Sequence, residues 1–371
     1  MINEDTCAAA AKKTLLGLTL AGLREVCARE GLPSFAAKQI ARRLYVNRAK
    51  TIDEMTELSK VAREKLNAKY TVGLYAPSSG MESVDGTAKY LFKVPSTAEA
   101  TGSEKTETAE DSECSKSLRH RGVIESVYIP DRDRATICVS SQIGCRMNCS
   151  FCFTGRNGFH GNLTAGDIMN QILSIPGSEN LTNIVFMGMG EPCDNLQPVL
   201  DAIEILTSDW GMAWSPKRIT VSSVGKLEDM KKLVESTRVH IALSVHSPFA
   251  EEREELMPVE KVWPVKKVIE MLRGFDFAHQ RRLSVEYIMW RGINDDFRHA
   301  DALARLVKGT SARVNLISYH AAPEDPRQRA LPKTMEAFRD HLNELGVTAT
   351  IRASRGEDIM AACGMLAGKE K

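Results

Sequence analysis

TICVSSQIGCRMNCSFC, residues 136–152, runs an apolar, β-branched stretch straight into three closely spaced cysteines. The stretch opens a series in which strand-like and helix-like patterns alternate. After it comes a helix from about residue 164. NIVFMGM (183–189) is followed by a helix over 196–206, RITVSS (218–223) by 226–234, and HIALSV (240–245) by 265–272. LSVEYIM (283–289) precedes a helix over 299–307, and RVNLIS (313–318) one over 333–345. TATIR (348–352) and a helix over 357–366 close the series. Such alternation predicts parallel strands with crossover helices. Six such units predict an α/β fold, a partial (β/α)6 barrel with its chemistry at the carboxyl ends of the strands. A doubly wound open sheet is the alternative, because periodicity does not report curvature.

Upstream the pattern changes. Residues 18–70 read as three short helices, one ending before Gly31, one over 35–45 and one over 58–66. KYLFKV (89–94) and VIESVYI (123–129) read as strands on either side of 97–117, which lacks large apolar residues and reads as a disordered acidic loop. The chain thus divides into a helical module (1–75), a β linker region (76–130) and a barrel with a C-terminal segment (131–371). Residues 18–70 carry eleven Lys and Arg against six Asp and Glu, whereas 97–117 carry two against six. The net charge of +1 averages these two regions. A basic module can track phosphates, although a solvated helical surface has the same composition.

With 43% hydrophobic and 26% charged residues and no run of ~20 apolar residues, the chain is expected to be a non-membrane protein with a full core. Lys12 and Lys13 before the apolar run 14–23 imitate a signal peptide, but the run merges into an amphipathic helix with no clear cleavage site. Nine cysteines, three of them crowded together, fit thiols used for metal and chemistry in a reducing cytoplasm better than a disulfide framework.

Cys145, Cys149 and Cys152 are spaced C-x3-C-x2-C. Four thiolates normally close a [4Fe-4S] cluster, so three leave one iron open to a ligand. A zinc site with a distant fourth ligand is the alternative. The spacing resembles the signature of the radical S-adenosylmethionine (SAM) superfamily, which implies SAM chelated on the open iron. MGMGEP (187–192) brings Gly190 and the Glu191 carboxylate to the end of the second strand, where that superfamily holds the SAM amino group; by itself the motif is also a Gly-rich turn.

SSQIGCRMNCSFCFTGRNGFHGNLTAGDI (140–168), NIVFMGMGEP (183–192), ITVSSVG (219–225), ALSVHSP (242–248) and RASRGEDIMAACG (352–364) together resemble the RlmN/Cfr family of RNA adenosine methyltransferases. The resemblance covers nearly the whole chain, the N-terminal module included, which is similar to the family's helix-hairpin-helix-like RNA-binding part. It implies that one SAM methylates Cys363 and a second SAM is cleaved on the cluster. The 5′-deoxyadenosyl radical so formed takes hydrogen from the S-methyl group, and the resulting carbon radical adds to an adenine ring carbon. Cys138 then attacks the Cys363 sulfur, leaving a transient disulfide. Without the resemblance, each of these two cysteines reads as a small buried hydrophobe. Glu125, in a row with Val123, Val127 and Ile129, is implied to accept the ring proton, and desolvation there is expected to raise its pKa. The implied SAM contacts are Gly190, Glu191, Ser222, Ser244, Val245, His246 and His320, the last standing where many relatives carry Asn. Cys7, Cys27, Cys114 and Cys193 read as spare thiols.

The resemblance implies methylation at adenine C2 in 23S rRNA and in tRNA, with an electron donor such as flavodoxin or ferredoxin and a monomeric enzyme. The alternatives are C8 methylation, as in the Cfr branch, a radical SAM protein activase, which needs no cysteine pair, and a metal-stabilised RNA-binding protein.

Overall fold

The structure, a computed structural model, describes residues 12–95, 120–279, 281–321 and 325–366. The acidic segment 97–117, Cys7 and Cys114 lie outside those residues.

β1 (Lys13–Thr14) pairs in parallel with β2 (Tyr70–Thr71) and closes a unit of three helices between them. α1 (Leu20–Arg29) starts where the Thr19 hydroxyl accepts the Gly22 amide, and it buries Leu20, Leu23, Val26 and Cys27. α2 (Ala36–Ala41) runs on into a wider π-type turn over Arg42–Val46, so the expected 35–45 helix exists but changes its winding midway. α3 (Lys60–Lys69) begins at Ser59, whose hydroxyl takes the Ala62 amide. That cap sets the helix start slightly later than the apolar pattern suggested.

β3 (Ser79–Glu82), β4 (Ala88–Pro95) and β5 (His120–Asp131) are antiparallel neighbours, and β5 pairs antiparallel with β6 (Arg134–Cys138). The short antiparallel pair β7 (Gln142–Gly144) and β8 (Phe159–Asn162) brackets the cysteine-rich loop, which contains α4 (Phe153–Arg156). The alternating series follows as α5 (Ala165–Ser174), β9 (Asn183–Phe186), α6 (Leu196–Thr207), β10 (Ile219–Ser223), α7 (Leu227–Ser236) and β11 (His240–Ser244). It continues through α8 (Ala250–Leu256), α9 (Val265–Arg273), β12 (Leu283–Met289), α10 (Phe297–Val307), β13 (Arg313–Ser318), α11 (Pro332–Glu344) and β14 (Ala349–Arg352).

One sheet has the strand order β14-β13-β12-β11-β10-β9-β6-β5-β4-β3, parallel from β6 through β14. The parallel run follows chain order without reversal. A doubly wound sheet needs a reversal, so that alternative is excluded. Right-handed crossovers put the connecting helices on one side and leave the other side to enclose a space, the expected partial barrel. The strands alternate accordingly. Val221, Leu243, Val285, Tyr287, Val314 and Leu316 are fully buried, each aliphatic side chain contributing about 1.5–3 kcal/mol. Thr220, Ser222, Ser244, Ser284, Glu286 and Asn315 line the enclosed space.

The expected helix over 357–366 is absent, and residues 353–366 form turns instead. Left-handed backbone at Gly356 (φ 62°), Met360 (φ 54°) and Gly364 (φ 85°) interrupts any helical run there. Among the described residues, no helix is long and apolar enough to cross a membrane.

Candidate active site

At the carboxyl ends of the strands, β7, β8 and α4 frame a loop that turns three thiols into one cavity of about 170 Å³, lined by Cys145, Cys149 and Cys152. The frame is tight: Gly144 has φ 74°, and a Cβ there would lie 1.9 Å from the Gly158 carbonyl oxygen. Burial pushes the Cys145 thiol up to about 12, and burial together with the charges of Cys152 and Cys145 pushes Cys149 well above its ordinary value. Cys145 and Cys149 are buried and Cys152 is half-buried, and the two buried thiols ionise together readily only with a cation to bind them. Among the described residues, no three or more His, Cys, Asp and Glu side chains are arranged to hold a single metal ion. Three thiols that line one cavity fit an iron–sulfur cluster, in which each thiolate holds its own iron.

Gly190 and Glu191 enter the same cavity wall. Gly190 has φ 95°, and a Cβ would lie 2.5 Å from the Gln142 Cβ, so glycine alone fits this approach. The Glu191 amide donates to the Gln142 side-chain oxygen at 2.9 Å. The Glu191 carboxylate, 3% exposed, accepts the Cys193 amide at 3.0 Å and the Val224 amide at 2.9 Å. Burial pushes its pKa up against those donors.

Ser222, Ser244 and His246 complete the opposite wall. His246 has φ 60°, and its Nδ1 accepts the Ile288 amide at 3.0 Å, leaving Nε2 to carry the proton. Burial, with Arg253 nearby, pulls its pKa down to about 3, so the ring is neutral. Val245 is not brought to the wall. Its amide donates to the Glu286 carbonyl at 3.1 Å, and its carbonyl accepts the Ser247 amide at 2.7 Å. His320 lines a neighbouring lower cavity instead, with Nε2 2.9 Å from the Ser354 hydroxyl and Nδ1 3.5 Å from Glu357.

Cys138, at the end of β6, and Cys363, in the C-terminal turns, line the cavity with the cluster thiols. Both are free thiols, so the expected disulfide is not present in this structure. Cys363 is exposed, and the Arg352 guanidinium next to it is held above its ordinary value first by the Cys363 charge. Glu125 is 2% exposed, as the strand pattern anticipated, but the row holding it is not purely apolar, because the buried Lys89 ammonium lies 3.8 Å from its carboxylate. Val127 and Ile129 line the cavity, whereas Glu125 does not.

Several organising residues escaped the sequence reading. Arg253 is fully buried, pairs with Glu260, and donates to the carbonyls of Val224, Ser244 and Val245 at 2.9–3.2 Å, fixing the ends of β10 and β11. No short motif marks it. Gln142 and Glu286 were quoted within strands but carried no signal beyond being polar where an apolar residue was expected.

Known proteins share the fold and the sequence of this chain. The Radical SAM superfamily profile matches residues 139–304, and the profile of the ribosomal RNA large subunit methyltransferase N-terminal domain matches residues 13–72. A probable dual-specificity RNA methyltransferase RlmN of Phocaeicola vulgatus is 50% identical over 96% of this chain and 95% of its own. The dual-specificity RNA methyltransferase RlmN of a Nitratiruptor species is 39% identical over 97% of this chain and 98% of its own. The crystal structure of a radical SAM methyltransferase from Sphaerobacter thermophilus superposes with a TM-score of 0.83 at 34% identity, covering 96% of this chain and all of that one. The fold, the cysteine-lined cavity and these relatives together establish that the chain belongs to the RlmN family of radical SAM RNA methyltransferases.

Proposed function

We propose that this enzyme methylates C2 of adenosine 2503 in 23S rRNA and of adenosine 37 in tRNA, with Cys363 as the carrier of the one-carbon unit. The observation that carries this reading is the single cavity that holds Cys138, Cys363 and the three loop thiols together. Cys145, Cys149 and Cys152 would hold a [4Fe-4S] cluster. Gly190, Glu191, Ser222, Ser244 and His246 would hold SAM, with Val245 contributing through backbone position and His320 from the lower side. Bound together, cluster and SAM supply a carbon radical able to take hydrogen from a methyl group. Cys363 first accepts a methyl group as a thioether, so each turnover consumes two SAM. Once the S-methyl group has lost a hydrogen atom, its carbon would bond to C2, the adduct would give up one electron to the oxidised cluster and its C2 proton to Glu125, and Cys138 would then attack the Cys363 sulfur. The C–S bond breaks with its electron pair going to the methylene carbon, which takes up a proton to become the methyl group; the methylated base leaves, and a Cys138–Cys363 disulfide remains for an external reductant to reopen. Residues 1–75 would dock RNA, the electron donor would be a flavodoxin or ferredoxin, and the enzyme would act as a cytoplasmic monomer.

The test uses anaerobically purified enzyme with iron restored and a transcript bearing the target adenosine. C363A should form no methyladenosine, and C138A should accumulate an RNA–protein cross-link. Methyl transfer by C363A would remove Cys363 as carrier. A product carrying its methyl group on C8 would replace the C2 assignment with the C8 one.

A further inference from the structure

Below the cavity just described, the interior of the sheet continues as a larger space of about 620 Å³. Met187, Glu286, Arg352 and Cys363 belong to both walls, so the two spaces meet at Cys363. The far mouth of the lower space lies at the amino ends of the strands. Arg134 and Arg313 open β6 and β13 there, and Arg218 and Arg282 immediately precede β10 and β12. All four are exposed. Arg134 has Asp131 at 3.6 Å, whereas Arg218, Arg282 and Arg313 have no carboxylate partner among the described residues.

Unpaired guanidiniums around one mouth make an anion site. Neighbouring strands are ~4.8 Å apart, so the arc from β10 to β13 that carries the three unpaired guanidiniums spans roughly 14 Å. One phosphate is too small for that arc, whereas a strand of several nucleotides matches it.

Inside the mouth, Glu286 is 3% exposed. Its Oε1 accepts the Ser284 hydroxyl at 2.8 Å and the Asn315 amide at 2.9 Å, while its Oε2 has no hydrogen-bond partner among the described residues. A buried carboxylate oxygen without a donor is costly, so an occupant that donates to it gains affinity. Glu286 lies four residues along β12 from Arg282, ~13 Å at 3.3 Å per residue. That is the reach of one nucleotide from phosphate to the outer edge of its base.

We propose that the target RNA strand enters from the amino ends of the strands, with its phosphates on Arg218, Arg282 and Arg313 and the exocyclic amino group of the target adenine donating to Glu286 Oε2. This rests on the reading of the chain as an adenosine methyltransferase.

The test measures binding of an RNA hairpin with the target adenosine in its loop to the anaerobically purified enzyme. R218A/R282A/R313A should weaken affinity by ~10–100-fold at 0.15 M salt and make the salt slope shallower by roughly 2–3, since each phosphate contact accounts for about 0.7–0.9. Wild-type affinity and slope in that variant would overturn the phosphate rim. A second hairpin carries purine riboside, which lacks the amino group, at the target position. Wild-type enzyme should prefer adenosine by ~10-fold or more, and E286Q should lose that preference. Absence of the preference in the wild type, which needs no variant to fold, or its survival in E286Q, overturns the base contact. If no RNA is bound or methylated by the wild type, the methyltransferase reading fails first. If the wild type methylates RNA while the rim variant binds like it, this proposal alone fails.

Discussion

The backbone amide of Gly356 donates to the Asp85 carboxylate at 3.0 Å, joining the turn between β3 and β4 to the segment that carries Cys363, although 271 residues of chain separate the two. Beside this bond the Ser83 hydroxyl donates to Asp358 at 2.6 Å, and the Lys89 ammonium donates to the Met360 carbonyl at 3.4 Å. On the far side of Cys363, the Phe153 amide and the Thr154 hydroxyl hold the Gly364 and Leu366 carbonyls at 2.9 and 2.7 Å. A segment without helix or strand is thereby fastened before and after its reactive residue. The hairpin of β3 and β4 acts on the site without lining it.

Removing that fastening should show in D85A/D358A. A displacement of about 1 Å at a reacting atom costs on the order of 100-fold in rate, so kcat for methyl transfer should fall ~10–100-fold with iron content unchanged. Hydrogen exchange over 353–366 should speed up in parallel. Unchanged exchange there would mean that the contacts do not hold the segment.

The same bond predicts a response to acid. Burial raises the Asp85 pKa, but hydrogen bonds from Thr87, the Gly356 amide and Ser83 outweigh it and hold the carboxyl at about 2, below the ordinary 3.8. A depressed carboxyl contributes its stabilisation above the unfolded value and loses it as pH falls through the folded one. Protection of 353–366 relative to D85N should therefore be present at pH 4 and vanish toward pH 2. An equal difference at both values would contradict the assignment.

The barrel was legible because each strand announces itself with β-branched alternation and each helix with a 3.6-residue apolar stripe. The thiol loop was legible because C-x3-C-x2-C packs three ligands into eight residues. What escaped depends on contacts between distant segments. The 357–366 stretch reads as a helix by composition, and its hydrogen bonds to the hairpin, together with the left-handed backbone at Gly356, Met360 and Gly364, explain the turns it takes. Lys89 lay in a quoted strand, but its place beside Glu125 follows from the β4–β5 register, in which Leu91 faces Glu125 directly and Lys89 sits one pair along the same face. The lower cavity was written in the polar positions of RITVSS, LSVEYIM and RVNLIS. A strand buried on both faces reads as continuously apolar, and these do not.

Gly190 should tolerate no side chain. With φ 95° and an added Cβ 2.5 Å from the Gln142 Cβ and 2.7 Å from its backbone nitrogen, G190A should cost about 3 kcal/mol through strain and overpacking. Denaturant titration of the metal-free protein measures it. A loss under 1 kcal/mol would mean that the β7 segment shifts freely, contrary to its pairing with β8.

The buried pair Lys89 and Glu125 predicts a non-additive cycle. K89M leaves the carboxylate at 2% exposure without this cation and should destabilise the protein by about 3 kcal/mol. K89M/E125L removes both charges and should recover most of that loss, because two apolar side chains fill the same space without desolvated charge. Equal losses in the single and double variants would show that the carboxylate does not need the ammonium.

Cys138 sets the last pH dependence. Burial, reinforced by the neighbouring Cys363, pushes its thiol up to about 12 against the pull of Arg352. At neutral pH only ~1 molecule in 100,000 then carries the thiolate, and that fraction rises tenfold with each pH unit until the pKa is reached. If the thiolate attacks the Cys363 sulfur, release of RNA from the Cys363-linked adduct should accelerate ~10-fold per unit between pH 7 and 9 in a single-turnover pH jump. C138S should show no release at any pH, since an alkoxide forms no disulfide. A flat profile in the wild type would mean that Cys138 gives up its proton to a base within the site during attack, and Glu125 on the adjoining strand would then be the first residue to substitute.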